Sequence, residues 1–207
     1  MLRLISIFAI FLAFSSLFNK VQGVKRKSME PLDHSRWNQQ IVIGYAKVPE
    51  DQAERINEDN RLFVDETASR RLGTGFDIVE YPGFGVKEGN WYCAIEANSM
   101  HLERIGKVYI PFYHSTYPEP PQYLWNQGDE VILDYIQQKG LAEDPFTALR
   151  ISYIEAEVLQ MQMLIPAIVI EQDYLNLRAK CFDSVDDLKT YSSATMNWLD
   201  ELDIKGR

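Results

Sequence analysis

Glu155 and Glu157 flank a single alanine, and two carboxylates so close together are the raw material of general acid and base chemistry. They fall where a helical pattern passes into a strand pattern, a place where acids are ordinarily solvated, so the pair does not by itself support a glycosidase. His34, His101 and His114 are scattered over a tail, a predicted helix and a loop, without the spacing a metal site needs. The chain has no Gly-x-Ser-x-Gly elbow, no His-Glu-x-x-His and no phosphate loop followed by Lys. Gly73 and Gly75 lack the third glycine of a dinucleotide fingerprint. Cys93 and Cys181 are the two cysteines, and in an oxidising compartment they read as one disulfide, the alternative being two buried thiols.

The elements that must position these residues follow from periodicity. Residues 41–45, 91–97, 107–111 and 159–166 are short, β-branched or alternating runs that predict strands, and 62–64 is a weaker candidate. Gly73 and Gly75 allow a tight path into a strand ending near Val79, and residues 81–90 are turn-rich. Pro49, Glu50 and Asp51 start a helix running through Ile56, and a short helix is expected over 99–105. Val131, Ile132, Tyr135 and Ile136 form one stripe of a helix over 129–139, with Gly140 as its cap. Asp144-Pro145 predicts another helix start, carrying Phe146, Leu149 and Tyr153. The strand ending at Pro166 is expected to continue through 167–170 toward an edge. Leu175, Leu177 and Ala179 repeat a period of two up to Cys181, and Ser184 caps a final helix. Tyr113, Tyr117, Tyr123 and Trp125 gather around an irregular loop, either as an exposed interface or packed under it. Helices and strands mix without regular βαβ alternation, which predicts the α+β class.

The chain opens with Arg3 and then an apolar run of about fifteen residues, too short to span a bilayer, followed by a compact site at Val21-Gln22-Gly23. Residues 1–23 are therefore expected to be a secretory signal peptide, with an uncleaved anchor as the alternative. Residues 24–36 read as a mobile basic tail carrying the dibasic pair Lys25-Arg26, and 37–200 as a single α+β domain. The formal net charge of -9 becomes more negative when Arg3 and Lys20 leave, which argues against nucleic acid and anionic membrane surfaces as partners. No membrane span is expected in the mature protein.

Four motifs in order carry a family resemblance: Gly44-Tyr45, Leu72-Gly73-x-Gly75-Phe76, Trp91-Tyr92-Cys93-x-Ile95, and Gln160-x-Gln162-Met163-Leu164-Ile165-Pro166. Together they resemble the ADP-ribosyltransferase fold, most of all secreted fungal proteins of the heat-labile enterotoxin A-chain type, over Trp37 to Trp198. The resemblance implies a split β-sandwich with peripheral helices. In active members it also implies an Arg or His on the first strand holding NAD, a Ser-Thr-Ser or Tyr element shaping the nicotinamide pocket, and a Glu on a later strand facing the oxocarbenium-like ribose. Here those positions are Ala46, Asp77 and Gln162. An alanine cannot pair a phosphate, and an amide hydrogen-bonds without supplying charge. Glu155 and Glu157 are the fallback acids, and Tyr45, Gly73, Gly75 and Phe76 would contact the dinucleotide if NAD binds.

These readings lead to a secreted, effector-like or toxin-like protein that has lost NAD-dependent activity, needs no cofactor, and binds a host or competitor protein, outside the cell or after uptake. The alternatives are an active mono-ADP-ribosyltransferase with an atypical site, for which NAD would be the cofactor, and a secreted ligand-binding protein of unrelated fold.

Overall fold

A computed structural model describes residues 39–64, 71–85, 89–115, 118, 120–155 and 158–207; of Glu155, Val158 and Leu159 it describes the backbone alone. The proposed signal peptide, the basic tail, His34, Tyr117 and Glu157 lie outside the described residues, which belong to one compact unit. No helix among them is long and apolar enough to cross a membrane.

The class is α+β, as the unordered mixture of elements predicts. Strands β1 (Gln40–Pro49), β2 (Gly75–Val79), β3 (Asn90–Asn98), β4 (Lys107–Tyr109), β7 (Leu149–Glu155), β8 (Val158–Pro166) and β9 (Arg178–Phe182) form one mixed sheet in the order β4-β7-β8-β2-β1-β3-β9. All neighbours are antiparallel except β4 and β7. Strands β5 (Tyr113–His114) and β6 (Gln122–Tyr123) make a separate ribbon. The helices are α1 (Glu50–Asp59), α2 (Ser99–Arg104), α3 (Asp129–Lys139), α4 (Ala167–Glu171), α5 (Val185–Tyr191) and α6 (Trp198–Glu201).

The strand period of two divides the sheet's residues cleanly between its faces. One face carries Ala46, Val48, Phe76, Ile78, Cys93, Ile95, Leu149, Ile151, Met161, Met163 and Ile165, all in the main core with residues of α1 and α4. The other face is apolar only at its ends. Leu164, Val108 and Ala148 pack under Ile132, Tyr135 and Ile136 of α3, and Tyr45, Tyr92 and Ala94 pack under Leu188 of α5. Between those two covers the face turns polar.

The disulfide Cys93–Cys181 joins directly opposed residues of β3 and β9 across a separation of 88. Asn57 of α1 closes the outer edge of β9: its amide donates to the Cys181 carbonyl at 3.0 Å, and its carbonyl accepts the Cys181 N–H at 2.8 Å.

Four expectations from the sequence are corrected. Residues 62–64 are not a strand. Residues 167–170 turn into α4 rather than continuing the strand, since Pro166 ends the ladder and is well suited to preceding a helix. The segment around Tyr113 to Tyr123 contains the β5–β6 ribbon. Asp144-Pro145 begins a turn, not a helix: Asp144 accepts from Phe146 N at 3.0 Å and from Thr147 Oγ1 at 3.0 Å, and β7 follows. Leu149 and Tyr153 fit a helical stripe four apart, but Leu149, Ile151 and Tyr153 also fit a strand face, and pairing with β8 decides for the strand.

Gly73 and Gly75 are explained by packing. A side chain on Gly73, at φ 99°, would run into Arg150 and Asp129, and one on Gly75 would strike the Ile165 backbone. The close approach lets buried Arg150 donate to the Leu72 carbonyl at 2.7 Å while it pairs with Asp129, whose second oxygen accepts Thr74 N at 3.0 Å. Burial alone would raise the Asp129 pKa, but the hydrogen bonds and the guanidinium charge hold it below its ordinary 3.8. Its contribution is thus present above 3.8 and lost as the pH falls through the lowered value.

Two stability measurements follow. Replacing both cysteines by serine is expected to cost about 3–5 kcal/mol in urea unfolding, the scale for opening so long a loop. Asp129→Ala is expected to cost about 3 kcal/mol, the low end for stranding a buried cation because Asp129 is itself one third exposed.

Candidate functional site

The sheet parts between β1 and β2. Among the described residues their pairing consists of Tyr45 opposite Val79, whereas β1 pairs with β3 over nearly its whole length. Continued by two residues, the register would set Lys47 against Asp77; instead the strands diverge and a cleft opens there. It has a volume of about 180 Å³ and is lined by Tyr45, Ala46, Lys47, Asp77, Val79, Gly83, Phe84, Tyr92, Ile154 and Gln162.

Three devices hold the split at this width. Gly44 lets the strands touch, because a Cβ there would lie 2.8 Å from the Val79 carbonyl and 3.1 Å from the Trp198 ring. A bulge between Val42 and Gly44 displaces Ile43 from the β3 register, and its carbonyl accepts the Trp198 indole N–H at 2.8 Å. The Trp198 backbone N–H then donates to Glu80, just past β2, at 3.1 Å. Tyr45 adds a tether, its hydroxyl donating to the Ala194 carbonyl at 2.6 Å; burial pushes its pKa up, with Ser192 partly offsetting the rise.

Of the residues singled out in the sequence, Tyr45, Ala46, Asp77 and Gln162 meet in this cleft. Ala46 contributes to its lining, yet it also belongs to the main core. The neighbours on the cleft face are Tyr45 and Lys47. Gly73, Gly75 and Phe76 are not among the lining residues; Gly73 makes room for Arg150 and Asp129, Gly75 makes room for the Ile165 backbone, and Phe76 is in the core. Glu155 ends β7 one residue beyond Ile154, which does line the cleft.

Lys47 is a cleft residue that sequence reasoning passed over, and Phe84, on the turn-rich 81–90 loop, and Tyr92, of the Trp91-Tyr92-Cys93 motif, join it without having been read as site residues. The alternation Tyr45-Ala46-Lys47-Val48 holds the signal for Lys47, since two small apolar residues share one face and the two polar-ended ones share the other. Lys47 Nζ donates to the Gly85 carbonyl at 2.6 Å and so fastens the loop bearing Phe84 beside β1. His101 lies in α2 and His114 on β5, against the Tyr135 ring at 5.3 Å. The described residues contain no cluster of three or more His, Cys, Asp or Glu able to hold a metal ion.

The model of one protein family matches residues 70–207, two thirds of the chain. The chain belongs to a family of unknown function (DUF5910). The matched span takes in Asp77, Phe84, Tyr92 and Gln162 of the cleft, together with Glu80 and Trp198 of the clamp; β1 lies outside it. Neither the curated proteins nor the solved structures provide a match.

Glu80 is 6% exposed. Burial raises its pKa above the ordinary 4.5, and the hydrogen bond from Trp198 offsets part of the rise. A raised carboxyl pKa means the fold favours the protonated form, so this stability is full below 4.5 and is lost as the pH rises through the shifted value. Glu80→Gln keeps an acceptor for Trp198 and cannot ionise. Urea midpoints are therefore expected to place it above the parent at neutral pH, with the gap closing toward pH 4.5. Glu80→Ala leaves the Trp198 N–H unmatched and is expected to cost about 1–3 kcal/mol.

Proposed function

We propose that this protein is exported and acts by binding a host or competitor macromolecule, on an ADP-ribosyltransferase-like scaffold that no longer cleaves NAD. The observation carrying the reading is Gln162. The resemblance puts the essential carboxylate of active transferases at this position, and the cleft presents an amide there. Asp77 is the one acid among the described lining residues, and it sits on β2. An amide can hold a ribose hydroxyl but cannot stabilise a developing oxocarbenium by charge. The parting of the sheet between β1 and β2 supports a split-sheet scaffold, since it creates a cleft where the resemblance calls for one.

Binding is supported by exposed rings. Tyr113 and Tyr123 face each other across the β5–β6 ribbon, both 54% exposed, with Phe112 packed against each. Tyr81 and Phe84 are exposed on the loop at the cleft. Trp125 is instead buried, its indole donating to the Ile110 carbonyl at 3.1 Å, and it anchors the ribbon from beneath. Uncharged rings concentrated on turns mark an interaction surface more readily than a catalytic one.

Incubating the oxidised mature protein with labelled NAD and target-cell lysate tests the reading. No label transfer is expected. Transfer that disappears in Gln162→Ala or Glu157→Ala would establish the active transferase instead.

A further inference from the structure

The amide nitrogen of Gln162 is buried without a hydrogen-bond acceptor among the described residues. Native folds leave few such donors, and the residue that carries this one lines the open cleft. Cross-strand register puts Gln162 in one row with Tyr45, Val79 and Ser152 on the polar part of the sheet face. The row is flanked by apolar cover at both ends, so the donor is not a chance surface group.

The rest of the lining limits what can bind. Lys47 and Asp77 bring one positive and one negative charge, so a charged ligand gains from one and loses to the other, and neutrality is favoured. Val79 and Ile154 offer apolar surface, and Phe84 and Tyr92 offer aromatic rings. About 180 Å³ is room for a single substituted ring and falls short of the roughly 300 Å³ at which drug-sized ligand sites begin. The ligand must supply an acceptor to Gln162 and groups that suit both the Lys47 ammonium and the Asp77 carboxylate. Hydroxyls do all of this, because each donates and accepts.

We propose that the cleft between β1 and β2 binds one neutral sugar ring, with Gln162 as the anchoring donor and the rings of Phe84 and Tyr92 against the sugar's C–H face. The inference stands on the cleft and does not depend on a transferase ancestry. One ring makes few contacts, so affinity is weak, with Kd on the order of 1 mM.

The test is an amide NMR titration of the oxidised protein with D-glucose, D-galactose, D-mannose and N-acetyl-D-glucosamine, with nicotinamide as a planar, non-sugar probe. At least one sugar is expected to give saturable shifts at Asp77, Phe84 and Gln162. Gln162→Leu is expected to weaken that sugar at least tenfold while melting no lower than the parent, because it removes an unmatched buried donor; Tyr174→Ala, at an exposed ring outside the cleft, is expected to leave it unchanged. Absence of saturation by every sugar, saturation by nicotinamide alone, shifts confined to Tyr113 and Tyr123, undiminished binding by Gln162→Leu, or a melting point of that variant well below the parent would each overturn the proposal. NAD cleavage is read separately, so failure here leaves the loss of transferase chemistry to its own assay.

Discussion

Trp198 is the residue on which the geometry of the sheet depends. Its indole reaches the carbonyl that the β1 bulge releases, and its backbone N–H reaches the carboxyl that follows β2. One buried residue, through its side chain and its backbone, thus touches both halves of a sheet that would otherwise be joined by a single paired step. Gly44 permits the contact, and the stretch from Ser192 to Trp198 is held down by Tyr45. The cost is a carboxyl kept out of water, and the return is a cleft of fixed width.

Much of the frame is legible in the sequence because the apolar period is unambiguous there. The α3 stripe and its Gly140 cap appear as read, and Ser184 caps α5 through Asp187 N. Cys93 and Cys181 pair because β3 and β9 lie side by side. Three of the four errors share a physical source. Pro145, Pro166 and the prolines near Tyr117 are punctuation, and local chemistry does not say whether the chain resumes as helix, strand or turn; the neighbouring strand decides. Trp198 is legible only as the limit of the stretch that carries the resemblance, since the carbonyl and carboxyl it bridges lie more than a hundred residues away.

The cleft was partly legible for a different reason. Asp77 between Phe76 and Ile78, and Gln162 between Met161 and Met163, are polar residues at alternate positions of otherwise apolar strands. Such a pattern says that both side chains leave the main core, but it is the β2–β8 register that brings them to neighbouring rows. Lys47 follows the same rule on β1. The resemblance gives the paired glycines dinucleotide contacts, yet Gly73 lets backbone pass a buried ion pair and Gly75 lets it pass the Ile165 backbone. A glycine motif and a packing constraint are indistinguishable until the group that fills the missing Cβ volume is known.

The plug that Asn57 forms on β9 bears on how the chain behaves when crowded. A terminal strand with open N–H and C=O groups is a template on which another copy can add, and a sheet that ends that way can polymerise. Here Asn57 occupies both groups of Cys181, and Asn60 accepts the Ala179 N–H at 3.3 Å. At the opposite end Lys205 runs parallel beside Val108 and occupies the outer side of β4. With the outer side of β9 taken by its own side chains and that of β4 by its own tail, neither margin of the main sheet offers an open ladder on which another copy could add a strand.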